Sequence, residues 1–319
     1  MTEISPRQQE VIEAVNQFGS YRKAAAALGV SEGTVNQAMS RAIGKGHVGQ
    51  RTEIFVPLAP KHVAASRETI KVCAIGDYHD SPGQPKDRIK WIARWIEDEQ
   101  PDYVVQIGDF ADFDSLSAHA KPGTIDHMER PSFRDDLESL EEVFHLYQKI
   151  LGDDGPQKFL TLGNHEHRAE RFDKQTPERR GLGCKDELDQ LLARYRWRTT
   201  EFGQWLYLNQ VGFIHIPMNL MGKEYRGRTI NPMANDAITS MVFGDNHRKS
   251  YLDQPKIGHG NSVTLIGLGT AMPEGHIKPY AQRSMTGWGY GVWALSIRAG
   301  AIPDHSYVSM KSLEDRYGD

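Results

Sequence analysis

The 319-residue sequence contains only two cysteines, Cys73 and Cys184, and this scarcity excludes a disulfide-stapled secreted scaffold. We interpret both as free thiols in a reducing compartment, and a disulfide between them is left open. No apolar run reaches 18 residues, so the sequence predicts no membrane-spanning helix. The polar, charged N-terminus is unlike a signal peptide. We therefore expect a cytoplasmic protein with no membrane partner.

An excess of positive charge is also lacking. The net charge is −4, and 39% hydrophobic with 25% charged residues is the composition of an ordinary globular protein. The whole molecule is therefore not a polycation, and any contact with nucleic acid must come from a local patch. The sequence has no repeats or low-complexity tracts, and its length suffices for one large core plus a small second domain.

The N-terminal segment has the pattern of three short helices over residues 4–43. Ala25, Gly29 and Val35 follow one another at spacings of four and six residues, as in a helix-turn-helix. A small Ala25 lets two helices cross closely, Gly29 allows the positive φ of the turn, and Val35 fills the core. The segment resembles the helix-turn-helix superfamily, and we assign residues 1–48 to such a domain.

In a helix-turn-helix, the second helix of the pair enters the major groove of DNA. Between Ser20 and Arg51 the sequence has five basic residues and one acidic residue, a local charge of +4 on an acidic chain. We therefore expect DNA as a partner, with some side chains reading bases and others binding phosphates. The predicted contacts are Arg22, Lys23, Thr34, Asn36, Gln37, Ser40, Arg41 and Lys45. The alternative is a dimerisation or protein-docking module, and homo-oligomerisation is left open.

Residues 49–69 have the composition of a linker, because Pro57 and Pro60 stop a helix and small residues follow. Beyond it, over residues 70–319, strand and helix patterns alternate, which indicates an α/β fold with a β-sandwich flanked by helices. The predicted elements are strand 70–76, helix 85–99, strand 102–107, helix 132–151, strand 158–162 and a helix near 185–195. Strands at 204–209, 211–216, 263–268 and 291–298 are expected to form a second sheet.

Five short polar motifs each follow an apolar run, at the point where a strand is expected to end. Side chains at the carboxyl ends of neighbouring strands converge on one crevice in an α/β sheet. Such convergence gathers the imidazole, carboxylate and amide groups that a two-metal hydrolytic site requires. The motifs are Asp77-Tyr78-His79, Gly108-Asp109-Phe110-Ala111-Asp112, Gly163-Asn164-His165-Glu166, His215 and Gly244-Asp245-Asn246-His247. The alternative is a set of unrelated surface residues.

The order of these motifs resembles the calcineurin-like metallophosphoesterase family, including its nuclease and phosphodiesterase branch. The family pattern is D-x-H, G-D-x-x-D, G-N-H-[E/D], a lone His and G-H-x-H. The last motif departs from it, because Asp245 stands where the family has its first His. The resemblance implies a pair of divalent metal ions. We favour Mn²⁺, while Mg²⁺, Fe and Zn²⁺ are left open.

The resemblance also implies a ligand for each position around the two ions. The first ion would be held by Asp77, His79 and His247, the second by Asn164, His215 and Asp245, and Asp109 would bridge both. For Asp245 the alternative is that its side chain turns away and the second ion binds weakly. As a ligand, an aspartate at this position would make the second site harder and more Mn²⁺- or Mg²⁺-like.

The third motif carries the residue that the resemblance assigns to proton transfer. His165 would protonate the leaving-group oxygen as a general acid, and Asp112 would orient it and keep it protonated. The alternative is a structural histidine bonded to a loop carbonyl. His167, Arg168 and Arg171 are candidate substrate contacts, although an exposed loop histidine is an equal interpretation of His167.

The leading hypothesis is a metal-dependent DNA phosphodiesterase, an endonuclease or exonuclease guided by the helix-turn-helix and using a hydroxide activated by two ions. Phe113 and Leu162 occupy places where the protein phosphatase branch has arginines, which argues against a protein phosphatase. The alternative is a nucleotide phosphodiesterase or phosphomonoesterase acting on small molecules. A regulator with a decayed esterase domain is a third hypothesis, disfavoured by the intact His165–Asp112 pair.

Overall fold

The chain divides into two compact units, Met1–Pro57 and Leu58–Asp319. The first contains three helices in its described part: α1 (Pro6–Phe18), α2 (Tyr21–Leu28) and α3 (Glu32–Gly44). The computed structural model describes residues 5–18, 21–44, 59–63, 68–118, 123–175, 183–225, 230–258, 262–278 and 287–318.

The three N-terminal helices enclose a small apolar core to which each contributes. Val11 of α1, Ala25 of α2 and Val35 of α3 are all buried in it. Gly29 has a φ of +65° between α2 and α3, a conformation that costs glycine little. Ser31 then begins α3, because its hydroxyl accepts a hydrogen bond from the backbone N–H of Thr34 at 3.1 Å.

The second unit is built on two mixed sheets of six strands each. The first sheet has the order β12-β11-β2-β3-β4-β5, with β2 (Ile70–Ile75), β3 (Tyr103–Gln106), β4 (Gln157–Thr161), β5 (Trp197–Thr200), β11 (Gly291–Arg298) and β12 (Ala301–Ser309). The second has the order β1-β6-β7-β8-β10-β9, with β1 (Lys61–Val63), β6 (Leu206–Leu208), β7 (Val211–Ile214), β8 (Met241–Phe243), β9 (Lys249–Pro255) and β10 (Ser262–Leu268).

Helices cover the outer face of the first sheet, and one short helix packs against the second. They are α4 (Asp87–Glu99), a 3₁₀ turn (Asp114–Leu116), α5 (Ile125–Met128), α6 (Phe133–Leu151), α7 (His167–Gln175), α8 (Cys184–Arg194), α9 (Asn231–Asp236) and α10 (Met310–Tyr317). The start of α6 is a capping box in which Ser132 and Asp135 each accept the other's backbone N–H. The predicted helices 85–99, 132–151 and 185–195 are confirmed to within two residues by α4, α6 and α8.

The alternation of side chains along β2 shows how the layers are stacked. Val72 and Ala74 belong to an apolar cluster between the sheets, whereas Cys73 and Ile75 belong to one beneath the helices. Because successive residues of a strand face opposite sides, one strand supplies two cores. A third cluster lies between the second sheet and α9. The predicted α/β class with a helix-flanked sandwich is therefore confirmed.

One strand that was predicted for the second sheet lies in the first. Residues 291–298 form a strand, as expected, but β11 pairs antiparallel with β2 in the first sheet, with Val292 opposite Ile75. Its side chains are apolar on both faces: Trp293 and Leu295 face the inter-sheet cluster, while Val292 faces the helices. A strand buried on both faces does not reveal from its sequence which sheet contains it.

Two short edge strands were not predicted. β5 (Trp197–Thr200) extends the first sheet beside β4, and Lys61–Val63 of the predicted linker pairs in parallel with β6 as β1. Within the described ranges, no helix is both long and apolar enough to cross a lipid bilayer. No disulfide joins Cys73 and Cys184, and both are buried.

Candidate metal centre

The carboxyl ends of β2, β3, β4, β7 and β8 meet at one edge of the sandwich, as the sequence predicted. Each strand ends one to four residues before its first donor, because parallel neighbours present their loops on the same side. Three groups of residues bring one ligand atom each to within 4.8 Å of one another. They are Asp77 with His79 and His247, His79 with Asp109 and His165, and Asp77 with Asp109 and His215.

The loops that carry these groups have unusual backbone conformations. His79, Asp109, Asp245 and His247 all have φ between +46° and +66°, the left-handed region that is uncommon for residues other than glycine. Such conformations persist where surrounding contacts impose them, and they are concentrated at functional sites. Gly163 permits a further close approach, because a Cβ atom there would lie 2.2 Å from Oδ1 of Asp109.

The first cluster contains two imidazoles and one carboxylate. Nε2 of His247 lies 2.9 Å from Nε2 of His79 and 3.0 Å from Oδ2 of Asp77. That carboxylate oxygen is buried, and despite the nearby imidazole nitrogen it accepts no hydrogen bond of proper geometry from the residues that the structure describes. A buried acceptor without a donor is costly unless a cation satisfies it, so these residues fit a divalent ion.

The second cluster centres on Asp109. Nε2 of His215 lies 3.3 Å from Oδ2 of Asp109 and 3.1 Å from Oδ1 of Asn164. The other ring nitrogen of His215 hydrogen-bonds the carbonyl oxygen of Ile107 at 2.9 Å, which fixes the ring orientation. Asp109 also contacts the histidine of the third motif, since the backbone N–H of His165 donates to its Oδ1 at 3.0 Å. Asp109 therefore lies between the two clusters.

Burial and charge act in opposite directions on the titrating groups of the site. Burial lowers the pKa of His79 to about 4, so its imidazole is neutral, as a metal ligand must be. Burial also acts to lower the pKa of His215, but Asp109 and Asp77 outweigh it and raise that pKa to about 10, so a cation that binds there would displace a proton from this ring. Burial raises the pKa of Asp109, yet His165 and His215 outweigh it and hold the pKa below its ordinary value.

Asp245 lies beside the clusters but belongs to none of the three groups of converging ligand atoms found in the described part of the chain. Its backbone N–H is 3.4 Å from Oδ1 of Asp77, and its charge contributes to the raised pKa of His215. The structure therefore brings its main chain against a predicted ligand, and its role as a ligand stays a prediction.

His165 lies at the rim of the site with its two ring nitrogens in different surroundings. Nδ1 is 2.8 Å from the carbonyl oxygen of Asp112 and 3.6 Å from that residue's carboxylate. Nε2 is 3.7 Å from Oδ2 of Asp109 and 3.3 Å from a guanidinium nitrogen of Arg168. Asp112 thus contacts His165 mainly through its main chain, whereas its carboxylate contacts Nδ1 of His79 at 2.8 Å.

The predicted substrate contacts differ in their surroundings. Arg168 donates to the carbonyl oxygen of Asp112 at 2.7 Å, so it stands next to the site. His167 points elsewhere: Nδ1 is 3.0 Å from Glu170, and its ring stacks on Phe202 at 4.8 Å between centroids. Burial lowers the pKa of His167. Arg171 is exposed on α7.

Three residues that shape the site were not singled out from the sequence. Glu166 is fully buried and accepts backbone N–H groups of Asp109 at 2.9 Å, Phe110 at 2.7 Å and Gly163 at 2.8 Å. The sequence did offer a signal for Glu166, because it is the last residue of the third motif. The other two are Arg88 and Lys278, which lie outside every motif along the chain.

Arg88 and Trp288 pack around the first cluster. The guanidinium of Arg88 is buried and donates to the carbonyl oxygens of Tyr78 at 2.5 Å and His79 at 3.2 Å, which holds the loop after β2. The indole of Trp288 meets His247 edge to face, with 4.5 Å between ring centroids. The aromatic residue Trp288 therefore forms one wall of the site.

In the N-terminal unit, five of the predicted DNA contacts are exposed: Arg22, Lys23, Thr34, Asn36 and Gln37. The side chains of Ser40 and Arg41, and all of Lys45, lie outside the described residues. Arg22 and Lys23 lie on α2, and the other three lie on α3.

Carboxylate and imidazole donors at one end of a helix-flanked double sheet define a metal-dependent phosphoesterase. The family model described as calcineurin-like phosphoesterase matches residues 70–268, and the chain belongs to this family. The family hydrolyses phosphate esters and depends on two metal ions, and the clusters above supply candidate ligands. No curated protein matches the chain.

Solved structures similar to the chain include two bacterial proteins and one from a plant. A predicted phosphoesterase from Streptococcus pneumoniae is 10% identical, covers 77% of this chain and 92% of its own, and has a TM-score of 0.33. A Thermus thermophilus protein is 10% identical, the match covers 76% of this chain and 100% of that protein, and the TM-score is 0.31. A purple acid phosphatase from yellow lupin seeds is 14% identical, the match covers 77% of this chain and 55% of that protein, and the TM-score is 0.30.

Proposed function

We infer that the protein is a DNA phosphodiesterase that uses two divalent metal ions, with Mn²⁺ as the favoured ion. The observation that carries this proposal is the presence, in one chain, of a phosphoesterase site and a separate three-helix unit. That unit exposes amide and cationic side chains on α2 and α3. Amides recognise adenine and cations bind phosphates, so the exposed set has the chemistry of a DNA reader.

The donor groups can be divided between two ions around Asp109. Asp77, His79 and His247 would hold the first, and Asn164, His215 and Asp245 would hold the second. When bound, the ions would acidify a water and neutralise charge on the phosphate. Asp109 is suited to contribute to both positions, because its carboxylate lies 3.3 Å from His215 and its neighbours include His79.

His165 is suited to donate the proton that the leaving alkoxide of a phosphodiester needs. The hydrogen bond from Nδ1 to the carbonyl oxygen of Asp112 at 2.8 Å directs Nε2 towards the metal clusters. Because Nδ1 donates to that carbonyl, Nε2 carries a transferable proton when the ring is a doubly protonated imidazolium, and in that state His165 would act as the general acid. Arg168, 3.3 Å from Nε2, would contact the phosphate on the same side.

The surroundings of the site favour a diester that carries bases. Phe113 and Leu162 are buried and apolar at the two places considered for monoester-binding arginines. A diester monoanion needs less positive charge than a monoester dianion. Trp288 adds an aromatic surface beside His247, and bases of a single strand stack on such rings.

A small-molecule phosphodiesterase or phosphomonoesterase is the second candidate, and one observation favours it. Arg168 and Lys278 bring two cations to the same end of the site, both in contact with Asp112. Two cations at the phosphate would suit a terminal, doubly charged group. In that case the N-terminal helices serve assembly rather than DNA recognition.

The test is an incubation of the full chain with Mn²⁺ and supercoiled plasmid, in parallel with bis-p-nitrophenyl phosphate and p-nitrophenyl phosphate. Asp109→Asn, purified identically, controls for contaminating nucleases. We expect nicking by the wild type, none by Asp109→Asn, and less by Arg22→Ala/Lys23→Ala. Monoester turnover without plasmid cleavage would establish the second candidate instead. Salt-sensitive DNA binding without hydrolysis of any substrate would overturn both.

A further inference from the structure

Lys278 and His79 are joined through the two carboxylate oxygens of Asp112. The ammonium of Lys278 pairs with Oδ2, while Oδ1 lies 2.8 Å from Nδ1 of His79. All three groups are withdrawn from solvent: the side chains of Lys278, Asp112 and His79 are 12%, 3% and 2% exposed. Charge-assisted contacts are strong in such surroundings, so each carboxylate oxygen is held by its own partner.

The contact with Asp112 determines which nitrogen of His79 is available as a ligand. The carboxylate accepts a hydrogen bond from Nδ1–H, and the neutral ring then has its lone pair on Nε2. Nε2 is the atom that lies 2.9 Å from His247 in the first cluster. The orientation of the Asp112 carboxylate therefore sets both the tautomer and the direction of the ring.

That carboxylate has an alternative partner within reach. Its Oδ1 is 3.6 Å from Nδ1 of His165, against 2.8 Å from Nδ1 of His79. A rotation of the carboxylate would exchange one histidine for the other. Lys278 opposes this rotation by holding Oδ2. The backbone two residues before it is held in turn, since the hydroxyl of Tyr290 donates to the carbonyl oxygen of His276 at 2.7 Å.

We propose that Lys278 is a positioning residue that acts through Asp112 to fix His79 as a metal ligand. The proposal rests on the proposed metal site, and it goes beyond it by assigning a role to a residue that belongs to none of the motifs. Lys278 itself touches neither the converging ligand atoms nor the general acid among the contacts that the structure describes.

A second buried ion pair close to the site offers a matched control, since Asp80 follows His79 and its carbonyl oxygen accepts the backbone N–H of Asp112 at 2.7 Å. Lys86 lies 2.6 Å from Oδ1 of Asp80 and 2.6 Å from the hydroxyl of Ser139, and the exposures of Lys86 and Asp80 are 9% and 1%. The described contacts of the Asp80 carboxylate are with Lys86 and Ser139 rather than with a histidine. Loss of the Lys86–Asp80 ion pair should reduce the stability of the fold without changing the metal site.

The experiment is a calorimetric titration of the metal-stripped full chain with Mn²⁺, accompanied by near-ultraviolet circular dichroism. We expect wild type to bind two ions and Lys278→Met to bind one of them roughly tenfold more weakly. Lys278→Arg, which keeps the charge, should recover most of that affinity. Lys86→Met should bind Mn²⁺ as wild type does. In an Asp112→Asn background, Lys278→Met should cause no further loss, because its effect passes through Asp112.

Equal Mn²⁺ affinity in folded Lys278→Met and wild type would overturn the proposal, as would an undiminished effect in the Asp112→Asn background. If Lys278→Met does not fold, Lys278→Gln replaces it, since glutamine keeps a hydrogen-bond donor without the charge, and the same comparison applies. Failure of wild type to bind two ions would instead overturn the proposed function, so the two failures are distinguishable.

Discussion

The Nε2 atoms of His79 and His247 lie 2.9 Å apart, and their rings meet nearly at right angles, at 82°. Both rings are buried, and burial lowers the pKa of His79 to about 4. Two imidazoles whose inward nitrogens face each other, with a carboxylate oxygen of Asp77 3.0 Å away, form an arrangement that a cation stabilises.

Removal of the His247 side chain should therefore weaken metal binding. We expect His247→Ala to weaken one of two Mn²⁺ sites by roughly 10- to 100-fold or more, because a ligand is lost from a buried cluster. Calorimetric titration of the metal-stripped protein measures this. His145→Ala, which removes an exposed histidine on α6, is the control and should bind as wild type does. Unchanged stoichiometry and affinity in His247→Ala would exclude this residue from the ligand set.

His165→Ala should separate proton transfer from metal binding. Its side chain lies 3.7 Å from Asp109 but belongs to the rim, with 17% exposure. We expect kcat to fall by roughly 10²- to 10⁴-fold, the usual contribution of a positioned general acid, while both ions are retained. Metal content by atomic emission and turnover of a diester substrate are measured on the same sample. Turnover equal to wild type would end this assignment.

Asp245→Ala tests whether the aspartate in the altered motif ligates the second ion. Its main chain contacts Asp77, and its charge acts on His215, so the residue is within electrostatic range of the site. We expect loss of one tightly bound Mn²⁺, and we expect Asp245→His to shift preference towards Zn²⁺, because imidazole is a softer donor. Retention of two tightly bound ions by Asp245→Ala would show that the side chain is not a ligand.

The parts of the site that follow strand ends could be predicted from the sequence. An apolar run followed by Asp77 or His215 reveals both a strand and the residue at its carboxyl end, and parallel strands then bring such residues together. Glu166 was visible in the same way, since it completes a motif, although its role in accepting backbone N–H groups depends on contacts that only the folded chain shows.

The remaining parts depend on contacts between distant segments. Arg88 reaches the carbonyl oxygen of Ala271 at 3.3 Å, 183 residues away, and Lys278 pairs with Asp112, 166 residues away. Neither cation has a local pattern that distinguishes it from a surface residue. The same holds for β11, whose two apolar faces indicate burial but not the sheet it joins.

The N-terminal unit yields a prediction that distinguishes binding of phosphates from reading of bases. Arg22→Ala/Lys23→Ala should weaken binding to all DNA sequences and reduce the slope of log affinity against log salt by about 2. Asn36→Ala/Gln37→Ala should change sequence preference with little change in slope. Arg7→Ala on α1, where the residue pairs with a neighbouring glutamate, is the control. Absence of salt-dependent DNA binding in wild type would support a docking or dimerisation module.

Asp136→Asn should stabilise the protein at neutral pH. The side chain is 2% exposed, and its Oδ1 has no hydrogen-bond partner among the described residues. Burial, reinforced by the nearby charges of Asp114 and Asp112, raises its pKa from 3.8 to about 6. The folded state therefore binds more protons than the unfolded state between these values, and stability falls as pH rises through that window.

Above pH 6, the buried charge of Asp136 lowers the free energy of unfolding by about 3 kcal/mol. A neutral amide in place of the carboxylate would still lack one hydrogen-bond partner, so we expect Asp136→Asn to gain roughly 1 kcal/mol. Urea denaturation at pH 5 and pH 8 should show a larger gain at the higher pH.

Asp135→Asn provides a control of opposite sign. Hydrogen bonds from Ser132 lower the pKa of Asp135, so its charge stabilises the fold above the ordinary carboxyl pKa and the variant should lose stability there. A gain for Asp136→Asn that is equal at both pH values would contradict the assignment of the raised pKa.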